Sequence, residues 1–167
     1  IEGGPDRDIT DHVPEDSPSA TALREMKRID SSFEVAEFLS GARGAYEMIL
    51  MAFERGELED IQSFLSADVF ETFESVVAAR RDQGLTIEAE FIGVQKIAIN
   101  EATFDDASGL AEVTIRIIGE LTNVVRNAEG DVVEGHETSP KQQKDIWTFA
   151  RVMGTDDPNW QLVATGE

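Results

Sequence analysis

Cysteine is absent from the 167 residues, so neither a disulfide, a thiolate metal site nor a cysteine nucleophile can be built from this chain. Histidine is almost as scarce. Only His12 and His136 occur, too few for a His-based zinc centre, and no metal or other cofactor is expected. Positive charge is the next shortage: 14 Lys and Arg stand against 34 Asp and Glu, and a formal net charge of −20 repels nucleic acid and anionic surfaces alike. Nucleic acid is therefore excluded as a partner. No apolar run approaches the roughly 20 residues that span a bilayer. No Walker loop, dinucleotide glycine fingerprint, His-Glu-x-x-His or nucleophile elbow is present. The adjacent acids Asp105-Asp106 and Asp156-Asp157 sit in turn-forming stretches, where aspartate is expected, and no segment has the ligand spacing of a calcium loop.

What is present suits one domain with its own core. The chain opens with Ile1 rather than methionine, and the expectation is of an upstream segment. Residues 1–18 carry six acids, one arginine and little to bury, and read as a disordered acidic arm, with His12 solvated in it. Residues 19–32 follow as a basic amphipathic helix. Leu23, Met26, Ile29 and Phe33 recur at helical spacing, with Arg24, Lys27 and Arg28 among them. Such a helix suits a lipid surface or a partner's groove; its plainer use is to pack on its own domain.

Asp30-Ser-Ser32 offers capping residues for a main core helix with Phe38, Ala42, Ala45, Tyr46, Ile49 and Phe53 on one stripe. Gly41 and Gly44 weaken that helix, and the small patch they form with Ala42 and Ala45 predicts close packing by another element. A short helix carries Leu58, Ile61, Phe64 and Leu65. Ser66 then caps a helix with Val69, Phe70, Phe73, Val76 and Val77 as its buried stripe, Arg80 and Arg81 at its end and Gly84 as its stop. Beyond Gly84 the period shifts to two. Strands are predicted from Thr86 to Phe104, bent at Gly93, and from Leu110 to Arg126, with a short strand at 131–134 and a polar loop over 135–144. Asp145-Ile-Trp-Thr-Phe-Ala-Arg151 and the run through Trp160 to Thr165 close the sheet as a hairpin, and both tryptophans anchor it.

Helices first and antiparallel strands after them define an α+β fold, with N-terminal helices packed on the concave face of a curved sheet. Phe73, Val77, Phe91, Ile115, Trp147 and Phe149 are the expected apolar walls of one pocket between helix and sheet, large enough for an apolar small ligand. The one set with catalytic potential is Tyr46, Asp145 and Arg151, whose simpler reading is a packed aromatic and two strand-end charges.

Phe38-Leu-Ser-Gly-Ala-Arg43, Ala45-Tyr-Glu-Met-Ile49, Ala52-Phe-Glu-Arg-Gly56, Phe64-Leu-Ser66, Arg80-Arg-Asp-Gln-Gly84, Asp145-Ile-Trp-Thr-Phe-Ala-Arg151 and Asp157-Pro-Asn-Trp160 resemble, in order and spacing, the Tim forty-four-like (Tim44-like) family. The resemblance covers roughly Phe33 to Thr165 and makes 33–167 the α+β domain. It implies a cone-shaped domain similar to the nuclear transport factor two-like fold, with a hydrophobic pocket and no catalytic activity. It also implies membrane association through the amino-terminal helix, hence Leu23, Arg24, Met26, Lys27, Arg28, Ile29 and Phe33 as lipid or partner contacts. The expected function is a non-enzymatic adaptor or scaffold at a bacterial inner membrane, peripheral or anchored through an upstream segment. It would bind an inner-membrane or translocated protein, and membrane lipid weakly. The alternative is a small-molecule-binding or isomerase-like enzyme using the pocket.

Overall fold

The structure, a computed structural model, describes residues 4–166. Ile1 to Gly3 of the expected arm, and Glu167, lie outside them. In chain order the elements are α1 (Arg7–Thr10), α2 (Pro18–Ile29), α3 (Val35–Arg55), a 3₁₀ helix (Glu59–Phe64), α4 (Ala67–Asp82), β1 (Thr86–Phe104), β2 (Leu110–Arg126), β3 (Val132–Val152) and β4 (Gln161–Gly166). The four strands form one antiparallel sheet in the order β1-β2-β3-β4, with helices packed on its inner face. This is the α+β architecture expected. Bulges in β1 at Phe91/Gly93, Val94/Lys96 and Ile99/Glu101 bend the sheet around the helices. Alternate residues of β2, including Val113, Ile115 and Ile117, point inward and meet Tyr46 and Ile49 of α3 in the core.

Local chemistry accounts for most boundaries. Ser17 caps α2 by accepting from the Ala20 amide at 3.1 Å, and Ser66 caps α4 by accepting from that of Val69 at 3.2 Å. Gly56, at φ 74°, ends α3. The main core helix is different. Its N-cap residue, Glu34, makes no side-chain cap, and Asp30 and Ser32 bond to each other instead. Asp8 performs the capping from far upstream, accepting from the Val35 amide at 2.7 Å and from that of Ala36 at 3.0 Å.

That contact corrects the reading of residues 1–18 as disordered. From Gly4 onward the segment is placed against the domain: Asp6 caps α1, Ile9 is wholly buried, Val13 is buried, and Lys27 of α2 pairs with Asp6 at 2.9 Å and Asp8 at 2.8 Å. Two apolar side chains and one doubly bonded carboxylate offset the ordering entropy that composition alone makes prohibitive.

Two strand expectations are also corrected. Residues 135–144 are not a loop but the middle of β3, continuous with the short strand expected before them. Their side chains are mostly polar and exposed, with Gln143 half-buried; β2 holds residues 135, 136 and 141–144 by its backbone ladder, which composition does not report. The register steps from Leu121↔Lys141 to Asn123↔His136, so residues 137–140, with Pro140, bulge opposite Thr122. Gly135 permits this, since a Cβ there would collide with the Asn123 carbonyl oxygen. Trp160 lies just before β4 rather than on it.

Candidate functional site

Between α3 and the sheet the dominant feature is Tyr46. Its side chain is completely buried, and its hydroxyl donates to Asp145 Oδ2 at 2.7 Å. Gln143 donates to the same oxygen at 3.1 Å. The ring lies 4.8 Å from Trp147 and 6.3 Å from Phe91 between centroids, and Gly119 of β2 makes room for it: a Cβ at Gly119 would come within 2.8 Å of Cε2. Burial, then the hydrogen bond to and negative charge of Asp145, push the hydroxyl far above its ordinary pKa. Tyr46 is thus a fixed donor with no route to solvent. Arg151, the third member of the expected set, is elsewhere: its guanidinium meets Asp30 at 3.1 Å and donates to the Asp157 carbonyl.

A second polar pair lies further along α3. Glu54 and Asn123 are both buried, and Asn123 Nδ2 donates to Glu54 Oε1 at 3.2 Å. Arg80 crosses from α4 to stack over the Phe53 ring at 4.3 Å and donates to the Phe53 carbonyl at 2.9 Å. It therefore neutralises the carboxyl end of α3, not that of its own helix.

The six expected pocket residues do not enclose one space. Phe73 and Trp147 share a cavity of about 220 Å³ with Asp145 and Gln143. Phe149 borders a groove of about 400 Å³ with Phe38 and Trp160. Phe91 lines a third, of about 560 Å³, beside Met48 and Met51. Val77 and Ile115 belong to the core. Tyr46, bridging α3 to β3 through Asp145, fills the core between them, a contact that one-dimensional pattern could not show, although a glycine in mid-strand at 119 was a signal of close approach.

The amphipathic helix is likewise used internally. Leu23 and Met26 are fully buried, and Ser19 Oγ accepts from the Ala102 amide, fastening α2 to the edge strand β1. Phe33 falls beyond the helix and packs 5.8 Å from Trp160. Lys27 holds Asp6 and Asp8. Arg24 reaches the Glu15 carbonyl at 3.3 Å, and Arg28 pairs with Glu25 at 3.0 Å and Asp106 at 3.7 Å. Arg24, Arg28 and Ile29 remain exposed on the outer face. No described helix is long and apolar enough to cross a membrane.

Helices laid against a curved four-stranded antiparallel sheet, with its buried polar groups paired off and grooves along its flanks, define a small α+β domain. The chain belongs to the family described as the Tim44-like domain, which matches residues 19–167 and so takes in α2 as part of the domain. The probable mitochondrial import inner membrane translocase subunit tin-44 of Caenorhabditis elegans is 26% identical over 145 residues, covering 84% of this chain and 34% of that protein. The mitochondrial import inner membrane translocase subunit TIM44-1 of Arabidopsis thaliana is 18% identical over 162 residues, covering 93% of this chain and 34% of that protein. The chain spans about a third of the length of these curated relatives. Among solved structures, the intermembrane space region of the chloroplast protein ARC6 aligns with 86% of this chain and 93% of that chain, at a TM-score of 0.44 and 12% identity.

Proposed function

We propose that this domain is a non-enzymatic adaptor working at a bacterial inner membrane, where it binds a protein partner and touches anionic lipid only weakly. The observation that carries the reading is the family match over residues 19–167, together with relatives whose names place them in an inner-membrane translocase. The geometry narrows how such a domain meets lipid. With Leu23 and Met26 in the core, α2 offers a surface Arg24, Arg28 and the half-exposed Ile29, and no free apolar stripe. Each of the two cations contributes at most about 1 kcal/mol at an anionic surface, Arg28 less because Glu25 and Asp106 already pair with it, enough to orient a domain held there by other means and too little to recruit it alone.

The alternative, a pocket enzyme of the isomerase kind, has one observation in its favour: Asp145 stands beside Tyr46 and borders the 220 Å³ cavity. Tyr46, however, is wholly buried and its proton is committed to Asp145, so the pair reads as a structural bond.

Vesicle co-sedimentation tests the membrane part. Deleting residues 1–32 would remove Ile9, Leu23 and Met26 from the core, so the informative variant is Arg24→Glu with Arg28→Glu, leaving Lys27 on Asp8. The native chain is expected to sediment weakly with anionic and not with neutral vesicles, to be released by about 0.5 M salt, and to lose binding on charge reversal. Equal behaviour of both proteins on both lipids would remove α2 from the membrane account.

A further inference from the structure

The groove of about 400 Å³ between the start of α3 and the β3–β4 connection is not absorbed by the adaptor reading. Its walls are aromatic. Phe38 stands edge-on to Trp160 with centroids 4.8 Å apart and to Phe149 at 6.1 Å, while Phe33 backs Trp160 at 5.8 Å. Phe33, Phe38 and Phe149 are buried and held by packing; Trp160 keeps part of its surface open. The floor is Gly41, where a Cβ would meet nothing within 4 Å, so the space over the helix is vacant. This corrects the expectation that another element packs closely on the small patch at Gly41 and Gly44.

Charge selects the occupant. Arg151 borders the groove, but its guanidinium is committed to Asp30 and to the Asp157 carbonyl. Glu34 and Glu37 are exposed on the rim, and among the described residues neither has a cationic partner. The uncompensated charge facing the groove is therefore negative, within a chain of net charge −20. A carboxylate-headed ligand would meet repulsion from the rim. An ammonium gains twice, from the carboxylates and from the π-face of a tryptophan, the best ring for such a contact. The volume lies within the range of roughly 300–1,000 Å³ typical of small-molecule sites.

We propose that this groove binds a small organic ammonium bearing one apolar group, its cationic head held between Trp160 and the Glu34–Glu37 rim and its apolar part over Gly41. The inference is independent of the membrane reading and survives its failure.

Three soluble probes sharing a benzyl group test it: benzyltrimethylammonium, phenylmethanesulfonate and the uncharged phenylmethanesulfonamide. The chain holds two tryptophans, and only Trp160 borders this groove, so the two indole N–H resonances report which site is occupied. The expected result is millimolar binding of the ammonium that shifts Trp160 and spares Trp147, about tenfold tighter than the sulfonate, with the sulfonamide between them. Glu34→Gln with Glu37→Gln should narrow the gap between ammonium and sulfonate, leaving the part that the Trp160 ring contributes. Gly41→Leu should abolish binding while the Trp147 resonance stays at its native position. Equal affinity for ammonium and sulfonate, a shift at Trp147 in place of Trp160, or undiminished binding by Gly41→Leu each overturns the proposal.

Discussion

A glycine means different things at two positions, one in the helix that carries Tyr46 and one in the strand beneath its ring. Gly41 sits within α3 with open space where a Cβ would go, so the helix loses backbone entropy there without any intramolecular contact in return. Gly119 sits in β2 under the Tyr46 ring, where a Cβ would lie 2.8 Å from Cε2 and 3.1 Å from the hydroxyl oxygen. Neither atom can retreat easily, since the ring is packed by Trp147 and Phe91 and its hydroxyl is tied to Asp145. The same substitution therefore has opposite signs. Gly41→Ala should raise stability by about 0.5–1 kcal/mol through helix propensity. Gly119→Ala should lower it by about 1–3 kcal/mol through overpacking. Urea midpoints measured at unchanged slope check both, and a stabilising Gly119→Ala would mean that Tyr46 is free to move.

The element whose integrity depends most on distant sequence is α3. Its first turn presents unpaired amides that Asp8 receives, and Lys27 holds that carboxylate in place from α2. Partial burial opposes the charge on Asp8, but the Lys27 hydrogen bond and the Val35 and Ala36 amides outweigh it, so its pKa lies below the ordinary aspartate value. A lowered folded pKa means stability that is present in full above the unfolded value of about 3.9 and is lost as pH falls through the folded one. Asp8→Ala should cost about 1–2 kcal/mol near neutrality. The gap between its thermal midpoint and that of the native chain should stay constant from pH 7 to 5 and narrow progressively as pH falls below about 4; a gap that does not narrow at all in acid would assign the loss to packing. No periodicity could reveal this cap, because a carboxylate acting 27 residues downstream leaves no mark on local spacing. What was legible was what repeats locally: the stripe of α3, that of α4 at Val69, Phe73 and Val77 though not at Val76, which is exposed, the Ser66 cap, the alternation of β2 and the bend of β1 at Gly93. The polar middle of β3 was illegible because its ladder is made by backbone groups that every residue possesses. The single expected pocket was not found for a related reason: helical and strand periods place side chains on faces but do not say which of those faces will close on one another, so Phe73 with Trp147, Phe149 and Phe91 border three separate spaces.

At the scale of the whole molecule, the charge of −20 sets two opposing salt effects. Added salt weakens attractive pairs, among them Lys27 with Asp6 and Asp8, Arg126 with Glu88 and Glu137, and Arg151 with Asp30. It also screens repulsion among the carboxylates left over once 14 cations are counted against 34 acids. The pairs are mostly surface contacts, each contributing about 0–1 kcal/mol, and several are short enough that screening acts on them only partly. The repulsion is spread over many separations comparable with or longer than the Debye length of about 10 Å at 0.1 M, where screening is most effective. Repulsion therefore decides the sign. The thermal midpoint should rise as sodium chloride goes from 10 mM to 0.5 M at pH 7, and most of the rise should come below about 0.15 M, where the Debye length shortens fastest. Sodium sulfate would confuse the test by strengthening apolar burial, so chloride is the salt to use. A midpoint that falls with chloride would show that the ion pairs around Asp8 and Arg126 outweigh the global field, and the Asp8→Ala variant would then lose only the part of the salt dependence that the Lys27–Asp8 pair carries.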